Sequence, residues 1–183
     1  MIVGKNTIVT EFNLAHLSQN ARTVRAEDVC REVREQLGDF SVDLVYRDRI
    51  LTQRTRRYEL HAAARASNVE ILHTLLGVEL KIGRRRLLCP DLATARYLSV
   101  FARVGCEAIA IPYDITQVSH VADLLESGLS RMLLLIAHLT EGRSSKLRQA
   151  VARRLFEEIR GNIASLGSGA RIPEFNQNTR QRR

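Results

Sequence analysis

Residues 77–112 constrain the fold more than any other part of the chain. The run Gly77-Val-Glu-Leu-Lys-Ile82 alternates, with Val78, Leu80 and Ile82 on one side and Glu79 and Lys81 on the other. That is the pattern of a strand with one face against a core. Gly83 breaks the run, and Arg84, Arg85 and Arg86 form a basic turn or a second short strand leading to Leu87-Leu88-Cys89. Pro90-Asp91 then opens a helix, with Asp91 near its positive end. Leu92, Ala95, Leu98 and Ala102 keep helical spacing, and Gly105 is a natural C-cap. Cys106 to Ile111 is almost wholly apolar, as in a strand covered on both faces, and Pro112 ends it. Strand, helix and buried strand make a βαβ unit over 77–112, whose strands are expected to be parallel with a right-handed crossover.

The flanking segments fit around that unit. Val29, Val33 and Leu37 recur every four residues within 25–37, which predicts an amphipathic helix capped by Gly38. Ser41 to Leu51 reads as a strand, with Val42, Leu44 and Tyr46 on one face. Polar Thr52 to Thr55 turns the chain, Arg57 to Ala62 alternates again, Ser67-Asn68 is a turn signal, and Val69 to Leu75 resumes strand alternation. Two C-terminal helices follow, at about 117–139 and 145–165; Leu147, Val151, Leu155, Ile159 and Ile163 are in register on the second. Thr7 to Phe12 reads as a short strand and Asn13 to Leu17 as a turn of helix. The expectation is an α/β or α+β fold: a mixed central sheet with flanking helices, in one domain over 1–165, with a flexible basic tail at 166–183.

A chain of 183 residues can bury a core without disulfides or metal. Cys30, Cys89 and Cys106 are odd in number, widely spaced and without a CxxC pair, so they are expected to be buried, reduced thiols of a cytoplasmic protein. The longest strongly apolar run, Met132 to Leu139, is far short of the roughly 20 residues that span a bilayer, so no membrane association is expected. The start MIVGKNTIVTEF lacks the basic and apolar regions of a secretory signal. The net charge is +8, and only Lys5, Lys81 and Lys146 of the 28 cationic residues are lysine. A basic, arginine-rich surface attracts phosphate backbones and suits bidentate phosphate contacts.

The chemistry centres on Glu79 and Lys81. Side chains two apart on a strand share a face. A carboxylate there can hold Mg²⁺, while an ammonium beside it stabilises developing charge or orients a water nucleophile. In its order of helix, strands, ExK-bearing strand, helix and strand, the stretch from about 25 to 114 resembles the PD-(D/E)XK nuclease superfamily. The resemblance rests on Glu79-Leu80-Lys81, the helix from Asp91 to Val104 and the strand from Cys106 to Ile111. It implies a Mg²⁺-dependent endonuclease in which Glu79 and a second acid (Glu70, Glu59 or Asp43) hold the metal and Lys81 acts at the water or the developing charge. Tyr97 stands where some members place a tyrosine, but no glutamine precedes it, and no Pro-Asp pair precedes the ELK strand.

Three further features bear on partners. Arg47, Arg49, Arg54, Arg56 and Arg57 lie within eleven residues, and positions 141–183 hold ten basic and four acidic residues, a net +6. Arg84–Arg86 with Arg54, Arg56 and Arg57 are the candidate grip on a nucleic-acid backbone. No aromatic residue interleaves with arginine in a stacking pattern, so base-specific single-strand recognition is not expected. His61 and His73 are conceivable partners of Glu59, Glu70 or Glu79 at a metal, whereas His16, His120 and His138 are isolated. The apolar helix from Val118 to Leu139 belongs to the core or to a homodimer face. The readings are therefore a nucleic-acid-associated metal-dependent nuclease, a non-catalytic nucleic-acid binder, or a regulatory module dimerising through its C-terminal helices.

Overall fold

The computed structural model describes residues 25–60, 62 and 68–169. The expectations for 7–17, Ser67 and the end of the tail, with His16 and His61, lie outside them. The described chain runs α1 (Ala26–Leu37), a 3₁₀ turn (Gly38–Phe40), α2 (Val42–Val45) continued by a π turn (Tyr46–Ile50), β1 (Thr55–Glu59), β2 (Val69–Thr74), β3 (Gly77–Ile82), β4 (Arg85–Cys89), α3 (Leu92–Val104), β5 (Ala108–Pro112), α4 (Ile115–Leu139) and α5 (Ser145–Leu166). Helices and strands are thus combined as expected, in the α+β form. No described helix is long and apolar enough to cross a membrane.

The helix ends follow local chemistry. Gly38 and Gly105 close α1 and α3 at φ 51° and 88°, conformations that strain a residue with a Cβ. Asp91 caps α3 by accepting from the Thr94 N–H at 2.7 Å, and Asp114 and Ser144 cap α4 and α5 in the same way. Val151, Leu155, Ile159 and Ile163 form the buried stripe of α5, and Val29, Cys30, Val33 and Leu37 that of α1. These stripes share one hydrophobic core with α3 and α4.

Two expectations change. Ser41–Leu51 is helical rather than a strand. Val42, Val45, Tyr46 and Ile50 are the buried positions, an i, i+3, i+4, i+8 set that needs a helix. The alternation of Val42, Leu44 and Tyr46 suggested a strand, but packing against α4 and α5 decides the matter.

The strands also do not join in one mixed sheet. Among the described residues β2, β3 and β4 form an antiparallel meander, and β1 pairs antiparallel with β5. The expected parallel βαβ pair over 77–112 is therefore absent, although its strand–helix–strand order is present. The reason lies at the second edge of β5. In an antiparallel ladder, alternate residues point their backbone groups away from the partner strand. At Ala110, opposite Arg57, the N–H donates to Tyr46 Oη at 2.8 Å and the carbonyl accepts from Tyr97 Oη at 2.6 Å. Two buried hydroxyls thus do what a neighbouring strand would do. Tyr46 also donates to the Gly167 carbonyl at 2.7 Å, which ties the end of α5 to this layer.

The meander lays Leu80, Ile82 and Cys89 against α3, and its other face points to solvent. The opposite side of α3 meets α4, where Arg96 reaches Asp123 at 2.8 Å and Glu126 at 2.5 Å. The three cysteines are buried and unpaired, as expected.

Candidate functional site

Two surfaces carry the residues singled out by the sequence. The first is the outer face of the meander. The register sets Lys81 between Glu70 and Arg86, and Glu79 between Leu72 and Leu88. Glu79, Lys81, Glu70 and Arg86 therefore share one face, as the strand spacing required. Each charge has a partner: Lys81 Nζ lies 3.0 Å from Glu70 Oε2, and Arg86 donates to Glu79 Oε2 at 3.5 Å. The Glu79 side chain is only 13% exposed, against 63% for Arg86.

The other candidate ligands lie apart. Asp43, on α2, accepts from Asn162 Nδ2 at 2.7 Å, and Glu59, at the end of β1, pairs with Arg57 at 2.5 Å. Among the described residues no three His, Cys, Asp or Glu side chains converge as a metal site. A Mg²⁺ ion at Glu79 would displace the Arg86 contact and compete with Lys81 for Glu70. The carboxylates present do not fit a preformed divalent-cation centre, and no catalytic step through magnesium follows from them. His73 is exposed near the hairpin end of β2, and His120 and His138 are exposed on α4.

The second surface is at the open end of β1–β5. Thr55 pairs with Pro112, and the Tyr113 N–H extends the ladder by donating to the Arg54 carbonyl at 3.2 Å. Arg54 and Tyr113 are thus cross-strand neighbours, and Arg56, two residues on, shares their face. Arg54 Cζ lies 5.1 Å from the Tyr113 ring centroid and Arg56 Cζ 5.9 Å, both within cation–π range. Tyr113 as a residue remains 52% exposed.

Neither arginine has an ion-pair partner among the described residues. The nearby Asp114 is turned to the α4 N-terminus, and its hydrogen bonds from Thr116 hold its pKa below the ordinary value. It caps the helix rather than neutralising the arginines. Arg56 Nε is buried with no hydrogen-bond partner, a costly arrangement for a charged group.

Arg57 points to the opposite face, where it donates to Ser168 Oγ at 2.8 Å and to Glu59. Arg84 and Arg85 are exposed at the β3–β4 hairpin without an ion pair among the described residues, unlike Arg86. The six candidate arginines thus divide: Arg54 and Arg56 converge, Arg84 and Arg85 project at the hairpin, and Arg57 and Arg86 are paired.

Tyr113 is the residue that the sequence reading lacked. It stands just after a strand-ending proline, far along the chain from Arg54, so no local spacing marks it. The β1–β5 register brings arginine and aromatic together, and the expected lack of interleaving does not hold in space.

A cleft of about 700 Å³ lies between the other end of β1–β5 and the last turns of α5. Arg57 and Arg160 face Glu59, Glu107 and Glu157 there, so no single sign of charge is concentrated. Cys106 lines this cleft, but burial pushes its thiol up to about 12, which leaves it a poor nucleophile near neutrality. No family model matches the chain, and no curated protein or solved structure matches it significantly.

Proposed function

We propose that the protein binds nucleic acid through the open end of β1–β5 and does so without cutting it. The observation that carries this reading is the cluster of Arg54, Arg56 and Tyr113: two guanidinium groups without ion pairs, held against a half-exposed aromatic ring. Guanidinium groups match phosphate oxygens bidentately, and an aromatic ring held with them is a surface for a nucleobase or sugar. The net charge of +8 raises the local concentration of a polyanion around that surface.

The ExK face supports binding better than hydrolysis. Its two carboxylates are engaged by Lys81 and Arg86 and, among the described residues, are not gathered with a third ligand. The resemblance to PD-(D/E)XK nucleases therefore enters as the competing outcome of the test.

The test is a titration of labelled oligonucleotides by fluorescence anisotropy at increasing salt, with and without Mg²⁺. Affinity is expected to fall steeply with salt, and Arg54→Ala with Arg56→Ala is expected to lower the log–log slope by about 1.4 to 2. No binding at low salt, an unchanged slope in the double variant, or preferential binding to anionic lipid vesicles would sink the reading. Mg²⁺-dependent cleavage that disappears in Lys81→Ala, with folding intact, would replace it by the nuclease reading.

A further inference from the structure

We infer that the ligand is single-stranded and that Tyr113 stacks on one of its unpaired bases; this rests on the nucleic-acid reading above. The cluster is one ring with two guanidinium groups, at 5.1 and 5.9 Å, at the end of a two-stranded ladder. Beyond it the same face turns inward: Ile111, across from Arg56, and Ile109, across from Tyr58, are 3% and 0% exposed. The accessible platform is therefore about the size of a nucleotide and offers little area to the two backbones of a duplex. A duplex also keeps its bases stacked on one another, out of reach of a side-chain ring, whereas a single strand presents a free π-face.

The two arginines fit the same geometry. Both Cζ atoms lie over the Tyr113 ring, where the guanidinium groups hold its orientation and can reach the phosphates next to a base stacked on the ring's free surface. Because every base has a π-face, such a site reads strandedness rather than sequence. The other tyrosines cannot serve: Tyr46 and Tyr97 are fully buried and hydrogen-bonded to β5, and Tyr58 packs against the core.

The experiment compares three labelled ligands of equal length: a single strand, its duplex, and a single strand with abasic sugars that keeps the phosphates and lacks the bases. Wild type, Tyr113→Phe and Tyr113→Leu are titrated with each. The chain has no tryptophan, so quenching of intrinsic tyrosine fluorescence reports stacking directly. The expected result is preference for the base-bearing single strand, accompanied by quenching. Tyr113→Leu should weaken that complex about tenfold, the loss of one stacked base, and leave the abasic complex unchanged. Tyr113→Phe, which keeps the ring, should bind as wild type does. Equal or tighter binding of the duplex, equal binding of the abasic strand, or no effect of Tyr113→Leu would overturn this inference and leave the nucleic-acid reading standing. Failure to bind any of the three ligands would overturn both.

Discussion

At the residue scale, Tyr46, Tyr97 and Tyr113 show how position alone divides one side-chain chemistry into different roles. Tyr46 and Tyr97 are buried, pack against Phe101 with ring centroids 5.6 and 5.1 Å away, and satisfy the free edge of β5. Removing one hydroxyl strands a buried backbone group, so Tyr97→Phe is expected to cost roughly 1–3 kcal/mol, read as a lower urea midpoint at unchanged slope. Burial is the main cause that raises the Tyr46 pKa, to about 12. Its stabilising contribution is complete below the ordinary tyrosine value of about 10 and is lost as pH rises through about 12. Unfolding free energy measured against pH should therefore fall across that alkaline window. Tyr46→Phe should be weaker at neutral pH and lose part of the alkaline decline. Neither tyrosine is marked as an edge cap by its sequence neighbours, because the partner of each is backbone on a distant strand.

At the element scale, legibility depended on whether the buried pattern was local. The β3 alternation, the α3 helix between Asp91 and Gly105, and the i, i+4 stripe of α5 all state their own burial, and all three are present. Residues 41–51 carry two patterns at once. Val42-Leu44-Tyr46 suits a strand and Val42-Val45-Tyr46-Ile50 suits a helix, and only the tertiary partners select the second. The helix α4 reads as apolar on several sides, and the structure places Val121, Leu125, Leu129, Met132 and Ile136 in the core, leaving Leu133 and Leu134 outside. What the periodicity could not show is how closely α4 is approached. A Cβ on Gly128 would lie 2.2 Å from the Phe40 carbonyl oxygen, a backbone atom that cannot swing aside. Gly128→Ala is therefore expected to destabilise the protein by roughly 1–3 kcal/mol, despite the helix-propensity gain of up to about 1 kcal/mol. Thermal melting beside Gly161→Ala, a helical glycine with open space around it, provides the contrast.

At the scale of the whole molecule, the question is which part of a basic chain is free to act. The sequence places much of its positive charge toward the C-terminus, but α5 is drawn into the fold by ion pairs. Arg34 meets Glu158 at 2.5 Å, and Arg154 meets Glu27, so part of the helix's charge is used in joining α1 to α5. The candidate site was half legible for a related reason. Glu79 and Lys81 were visible as charged residues on an alternating strand, and Arg54 and Arg56 as members of a basic cluster. Which charges meet opposite partners depends on strand pairing, and pairing is a long-range property. The ExK face is neutralised across β2–β3–β4, whereas Arg54 and Arg56 meet the Tyr113 ring across β1–β5 and no acid among the described residues. This difference predicts a hierarchy. Lys81→Ala removes one exposed ion pair and should change stability by less than about 1 kcal/mol. Arg153, exposed on α5 with no ion pair among the described residues, contributes to the general field. Arg153→Gln should therefore alter oligonucleotide affinity by less than about threefold and chiefly through the association rate, as expected for a peripheral charge. Arg54→Ala with Arg56→Ala should instead lose both affinity and salt dependence, because those groups are placed to contact the ligand. Stopped-flow association and dissociation rates for the three variants would separate the two effects. Equal losses from Arg153→Gln and the double variant would mean that net charge, rather than the β1–β5 end, governs binding.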